Sequence, residues 1–253
     1  MPVYGPLKVL CKTNTLVNIK REQEARAIPW QLHKKLTRRK MISKVQKFWD
    51  KQATRYDNSE RQFESVTKEI IAKTKNYLDK SDNVLDFGCA TGTKTIALAD
   101  SVNHIHGLDI STEMIREAIK KKDEANILNI SFSQGTLFED DFEKASFDKI
   151  IAYAILHLLE DSEKLIRRIH ELLKPGGLFI STTACMKDKM AIKNKLQFIV
   201  IRFLKRLGIF PLHLNLYTFF DVEKLIEHQN FQIIEAEKLF HGLTASFIVA
   251  RKQ

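Results

Sequence analysis

The chain has only three cysteines, Cys11, Cys89 and Cys185, and no two of them form a CxxC pair. That argues against a zinc site and against a disulfide framework, and it points to a reducing, cytoplasmic setting. No apolar run reaches the length of a membrane-spanning helix. There is no internal repeat and no low-complexity tract. Acidic residues are nearly missing from the first forty positions, where ten Lys/Arg face only Glu22 and Glu24, a balance of +8. The whole chain carries +10, so residues 41–253 hold 31 basic and 29 acidic side chains and are almost neutral. The global charge therefore gives little support to a nucleic-acid substrate. Residues 1–40 also lack serine and a continuous apolar stretch, which counts against an organellar presequence and a secretory signal. We expect the functional chain to start near Met41 and residues 1–40 to be a basic, flexible extension or an upstream translation artefact, an RNA-binding arm being a further alternative. Residues 41–253 then form the domain, opening at Met41-Ile-Ser-Lys-Val-Gln-Lys-Phe-Trp49.

What is present is an alternation of helical and strand-like segments. Helices are expected over Ser43–Tyr56 and Arg61–Leu78, where Phe63, Val66, Ile70 and Tyr77 recur at helical spacing. Strands are expected at Asn83–Phe87, His104–Asp109, Ile130–Ser133, Phe147–Tyr153, Leu178–Thr182, Phe231–Glu237 and Thr244–Ala250. Further helices fall at Thr93–Ser101, at Thr112–Lys122 with Ser111 as N-cap, at Asp161–Leu173 and at Asp221–His228. Lys174-Pro-Gly-Gly177 separates the third of these from the next strand. Strands alternating with helices predict an α/β fold, a doubly wound, mostly parallel sheet covered on both faces. The two final strands follow each other after a helix, so one of them runs antiparallel near an edge.

The first strand ends in Asp86-Phe-Gly88-Cys-Ala-Thr-Gly92, and the second ends at Asp109. Glycines at such a turn let the backbone approach a ligand, which binds outside the carboxyl ends of the strands where strand order reverses. A carboxylate at the tip of the second strand suits two ribose hydroxyls. The dinucleotide fingerprint G-x-G-x-x-G/A fails, because Ala90 and Thr93 occupy its third and sixth positions counted from Gly88. The observed D-x-G-x-x-x-G fits a ligand without phosphate, and the leading acid suits a cation.

Val84-Leu-Asp-Phe-Gly-Cys-Ala-Thr-Gly92 resembles the first motif of class I S-adenosylmethionine-dependent methyltransferases. His106-Gly-Leu-Asp-Ile-Ser111 with Met114-Ile115, Ser146-Phe-Asp-Lys-Ile-Ile151 and Leu172-Leu-Lys-Pro-Gly-Gly-Leu-Phe-Ile180 are similar to three more, in the right order. The small-molecule enzymes of the ubiquinone/menaquinone type share this pattern. The resemblance implies a Rossmann-like seven-stranded sheet and S-adenosyl-L-methionine as cofactor. It places Gly88, Cys89, Ala90 and Gly92 around the methionine part and Asp86 near its amino group. It sets Asp109 on the ribose, Ile110 and Met114 beside adenine, and Gly135 and Thr136 near the adenine amino group. Two positions depart from the family pattern. Ala90 stands where glycine is common, and Thr136 where many members carry aspartate. For Met114, core packing is the competing reading.

Methyl transfer from a sulfonium needs alignment first, and a base only if the nucleophile must lose a proton. His157, after the fourth strand, is the candidate base; the alternative is a histidine bonded to the backbone at a helix start. Tyr56 falls in a segment that resembles the helix closing over the cofactor in the quinone-type enzymes; its alternative is ordinary packing. His213 and Tyr217 are candidates for the acceptor pocket, with exposed loop positions as the competing reading. No metal site stands out.

Residues 183–220 read as a helical cap or lid. Within it, 187–207 pairs an apolar helical stripe with seven Lys/Arg, compatible with capping a lipophilic acceptor, with peripheral contact to an anionic membrane, or with plain packing on the core. The leading expectation is a methyltransferase acting on a small, lipophilic molecule, with no nucleic-acid partner. The alternatives are an RNA methyltransferase and a non-catalytic S-adenosylmethionine-binding protein. The Asn/Asp-Pro-Pro-aromatic run of enzymes that modify base amines is absent, its place reading Ala152-Tyr-Ala-Ile-Leu156.

Overall fold

The computed structural model describes residues 30–138, 142–208 and 210–253, with side chains from Ser43 onward. Two compact units divide at Lys44/Val45, and the sheet belongs to the second, Val45–Gln253. Most of the expected basic extension, residues 1–29, lies outside the described residues. The first helix, α1, runs Trp30–Glu60 and so begins well ahead of both Ser43 and Met41. Its early turns are built from Leu, Lys, Arg and Gln, which favour helix without providing the apolar period that betrays one.

Seven strands follow the expected order: β1 (Asn83–Phe87), β2 (His104–Asp109), β3 (Ile130–Gln134), β4 (Phe147–Tyr153), β5 (Leu173–Ala184), β6 (Phe231–Phe240) and β7 (Thr244–Lys252). They lie in the sheet order β3-β2-β1-β4-β5-β7-β6. The first five are parallel, and β7 is antiparallel to both β5 and β6. The chain steps outward from β1 to β3 and returns to β4 on the other side of β1. The order therefore reverses between β1 and β4, at the carboxyl ends Phe87 and Tyr153. β5 starts at Leu173, through the Lys174-Pro-Gly-Gly177 segment rather than after it. Leu173 pairs with Phe147 before a register shift brings Leu178 opposite Lys149.

Helices α2 (Glu64–Lys75), α3 (Thr93–Leu98), α4 (Thr112–Glu124), α5 (Ser162–Leu172), α6 (Ile192–Arg206) and α7 (Phe219–Glu227) complete the fold. Successive strand residues point to opposite faces, so the paired apolars Ile150/Ile151, Phe179/Ile180 and Ile248/Val249 feed two cores. Ile150, Phe179 and Ile248 join Leu165, Ile169, Val222 and Ile226 from α5 and α7. Ile151, Ile180 and Val249 join Ile70 and Leu98 from α2 and α3.

Capping fixes where the helices start. Ser111 Oγ accepts from the Met114 amide at 3.1 Å, as expected from sequence. Asp161 caps α5 instead of belonging to it, and Thr218 with Asp221 forms a capping box that starts α7 at Phe219.

Candidate functional site

The turn after β1 is built on left-handed backbone. Gly88, Ala90 and Gly92 have φ of +76°, +49° and +73°. Alternation of left-handed and ordinary residues curls the chain so that it can cradle a ligand. The Gly88 amide donates to Leu108 O at 2.8 Å, which ties the turn to the end of β2. On that neighbouring strand a Cβ at Gly107 would lie 2.4 Å from Phe132 Cδ1, so the close approach of β2 and β3 depends on glycine there. Ala90 occupies a backbone conformation that favours glycine, the residue that the resemblance leads one to expect at this position.

Asp109 sits between the turn and the start of α4. Its Oδ2 accepts from the Ala90 amide at 3.0 Å and its Oδ1 from the Ser111 amide at 2.8 Å. A carboxylate has about four lone-pair sites, so two remain for hydroxyl donors. Burial pushes Asp109 up to about 6 against the two amides, with the Asp50 charge adding to the rise. Asp86 is also buried, accepts from the Thr95 hydroxyl at 2.6 Å, and is pushed up to about 6 by burial. Two carboxylates desolvated at the same turn favour a cationic ligand, because a nearby positive charge restores their ionised form. Cys89 is buried, and its thiol is held well above the usual range, first by burial and then by Asp86 and Asp109. The Gly135 amide donates to Asp109 O at 2.9 Å, and the Ile110 carbonyl accepts from Gln134 Nε2 at 3.1 Å, which brings the ends of β2 and β3 together. Met114 is only 1% exposed, so the structure favours core packing over the expected place beside adenine.

The resemblance led one to expect a helix over this turn, and what the sequence did not disclose is which residues fasten it. Asp50, Ala53, Asp57 and Glu60 share one helix face. Asp50 Oδ1 accepts from Ser111 Oγ at 2.6 Å and from the Glu113 amide at 3.2 Å. Asp57 accepts from the hydroxyls of Thr91 and Thr93 and pairs with Lys121, while Glu60 pairs with Lys94 at 3.4 Å. Burial raises the Asp57 carboxyl, but the Lys121 ammonium and the two threonines outweigh it and leave it below its ordinary range. The spacing 50, 57, 60 was the available signal; the partners are far away in sequence.

Tyr56 lies on α1 beside this latch, its ring edge-on to Trp49 at 6.3 Å. Burial, followed by the Glu60, Asp109 and Asp57 charges, drives its phenol upward, so it stays protonated and can only donate or weakly accept. His157 lies in the short 3-10 turn Leu156–Leu158 that follows β4, is buried, and has no hydrogen-bond partner at Nδ1. The sequence alternative of a backbone-bonded ring is therefore not what is seen. Burial holds the ring down at about 4, so it is neutral at physiological pH. Ile155 packs over Gly88, where an added Cβ would meet its Cδ1 at 3.2 Å, so the turns after β1 and β4 adjoin.

His213 is exposed and bonds Asn215 Oδ1, while the Tyr217 hydroxyl donates to Ser162 Oγ at 3.1 Å. His106 is bonded to Ser131 and Ser133 and is structural. Among the described residues no cluster of three His, Cys, Asp or Glu is placed to hold a metal. A cavity of 340 Å³ lined by Lys80, Ile96, Asp100 and Asn129 opens at the amino-terminal edge of the sheet. Parallel sheets do not bind ligands at that edge, and we assign it no role.

Comparison with known proteins agrees with this geometry. Residues 78–236 match a family described as a methyltransferase domain. A demethylmenaquinone methyltransferase of Lactococcus lactis is 30% identical over 185 residues, covering 67% of this chain and 73% of that one. A phosphoethanolamine N-methyltransferase 2 of Caenorhabditis elegans is 32% identical over 100 residues, 39% of this chain and 23% of its own length. This chain thus spans about a quarter of the nematode enzyme. Among solved structures, Haemonchus contortus phosphoethanolamine N-methyltransferase 2, in complex with phosphomonomethylethanolamine and S-adenosylhomocysteine, superposes with a TM-score of 0.59. It is 18% identical, and the match covers 73% of this chain and 53% of that one. The chain belongs to the methyltransferase domain family.

Proposed function

We propose that this enzyme methylates a small, lipophilic molecule at the junction of the turns after β1 and β4. The observation that carries the reading is the placement of Asp109. Its carboxylate is fixed by two backbone amides, faces the left-handed turn, and retains acceptor capacity for a ribose diol. Gly88 and Gly92 then flank the methionine part, with Asp86 and its Thr95 partner toward the ammonium group. Ile110 and the Gly135-Thr136 backbone flank the adenine. Cys89 and Ala90 contribute backbone, since the Cys89 side chain is buried.

Bound S-adenosylmethionine supplies a methyl group already activated by its sulfonium. The protein is left to align the acceptor and to exclude water, and alignment alone is worth about 7–11 kcal/mol. α1 excludes water by lying across the turn through Asp50 and Asp57, with Tyr56 as a neutral hydrogen-bond donor. His157, uncharged, is the candidate to take the proton of an acceptor hydroxyl or amine on its ring. Its low basicity suits an acceptor that is itself acidic, such as a phenol.

The segment after β4, Ala154-Ile-Leu-His-Leu-Leu159, is apolar apart from His157. That composition supports a lipophilic acceptor over a nucleobase, as does the near-neutral charge of residues 41–253. The lactococcal relative bears the name of a quinone-type enzyme, which agrees in class.

The test is calorimetry with S-adenosylmethionine, S-adenosylhomocysteine and NAD, followed by a screen of phenolic and amine acceptors. We expect micromolar binding of the first two, weakened about 100-fold or more by Asp109→Ala. Comparable affinity for NAD would overturn the site. Cofactor binding without turnover on any acceptor would favour a non-catalytic protein.

A further inference from the structure

Helix α6, inserted between β5 and α7, contains no buried residue. Its inner side rests shallowly on the protein through Asn194, Phe198, Ile201 and Leu204, all half-buried. Its outer side is also apolar. Ile192, Leu196, Ile199, Val200, Phe203 and Leu207 recur at spacings of three and four and are 55–77% exposed. Side chains at these intervals form one stripe along a helix. A helix apolar on both sides is ordinarily buried on both sides, and here the outer stripe is open.

Charge identifies what covers it. Residues 189–220 contain no acid and six Lys/Arg, at 189, 193, 195, 202, 205 and 206. On the helix, Lys193 borders one margin of the stripe, and Lys195, Arg202 and Arg206 border the other. Long basic side chains at the margins of an apolar stripe let the stripe sink while their charges stay at the surface. We propose that α6 is a membrane-docking element that lies in the interface of an anionic lipid bilayer, with the Ile192–Leu207 stripe among the acyl chains and its cations on the lipid phosphates. No helix among the described residues is long and apolar enough to cross a membrane, so the contact is peripheral. A second copy of the chain is a poor occupant, because a two-fold contact of this face sets its cations against identical ones. A nucleic acid has no use for the apolar centre. The inference concerns where the protein sits and stands independently of the acceptor proposed above.

Vesicle flotation of the full chain tests it, using phosphatidylcholine alone and phosphatidylcholine mixed with phosphatidylglycerol. We expect the protein to float with the anionic vesicles at least about tenfold more tightly than with the neutral ones, in a salt-sensitive manner. Leu196→Glu with Phe203→Glu abolishes flotation. Arg202→Glu with Arg206→Glu weakens it on anionic vesicles. Both double variants keep the wild-type affinity for S-adenosylmethionine, which shows that they fold. The proposal is overturned if folded wild-type protein ignores anionic vesicles, or if the apolar substitutions leave flotation intact. It is equally overturned if those substitutions instead split a dimer seen by ultracentrifugation, or if single-stranded RNA is retained through the arginines with no role for the apolar stripe.

Discussion

The Asp57 carboxylate accepts a 2.6 Å hydrogen bond from the Thr91 hydroxyl, so the end of α1 is fastened to the left-handed turn it covers. Thr91 is 1% exposed, so removal of the acid costs its buried hydroxyl the bond it makes to Asp57. Asp57→Ala is therefore expected to weaken S-adenosylmethionine binding about tenfold, the value of one charge-assisted hydrogen bond. Calorimetry checks the affinity, and limited proteolysis checks whether α1 opens. An unchanged affinity with unchanged cleavage would show that the fastening is incidental.

Asp86 and Asp109 give the protein opposite pH dependences with and without ligand. Burial raises both to about 6, above the ordinary carboxylate value of 3.8. A raised acid binds more protons folded than unfolded between those limits, so the free protein loses stability as pH rises from about 4 through 6. The cationic cofactor favours the ionised form, so its affinity is full above pH 6 and declines as pH falls through that value. Thermal melts and calorimetry over pH 4.5–8 read the two trends. Parallel trends would refute the placement of Asp109 on the ribose and Asp86 on the ammonium group of a cationic ligand.

Ala90 holds φ at +49° at a position where an L-residue is strained. Ala90→Gly should stabilise the protein by about 1 kcal/mol, because relief of left-handed strain exceeds the added freedom of the unfolded chain. Chemical denaturation measures it. A loss of stability would mean that the methyl group packs usefully in the turn.

His157 is neutral across the physiological range, its ring held at about 4 by burial. If the His157 ring takes the acceptor proton, His157→Phe lowers kcat on the best acceptor by about 100-fold and leaves the cofactor Kd unchanged. Because the group is already deprotonated, the kcat profile of the wild type shows no limb from it between pH 6 and 8. Loss of cofactor binding in the variant would assign the ring to packing instead.

How far the sequence reads into the structure depends on how local each feature is. The β1 turn, the tip of β2 and the Ser111 cap were legible because glycine, acid and serine act within a few residues of themselves. The alternation of strands and helices gave the sheet, including an antiparallel strand near one edge. The start of α1 at Trp30 was not legible, since its first turns carry charges of one sign and no apolar stripe. The Asp50 and Asp57 contacts were hidden because their partners, Ser111 and Thr91, come from other elements. Met114 could not be assigned by spacing, as a methionine at the start of a helix serves core and ligand equally well. The open outer side of α6 was hidden too, since periodicity reports that a face is apolar and never whether anything covers it.

The fastening of α1 is sensitive to the ions around it. It is made of carboxylates, hydroxyls and lysines, of which the Lys121–Asp57 and Lys94–Glu60 pairs remain partly open to water. Dissolved ions compete directly for such partly open pairs. Raising the ionic strength is thus expected to loosen the grip of α1 on the turn it covers.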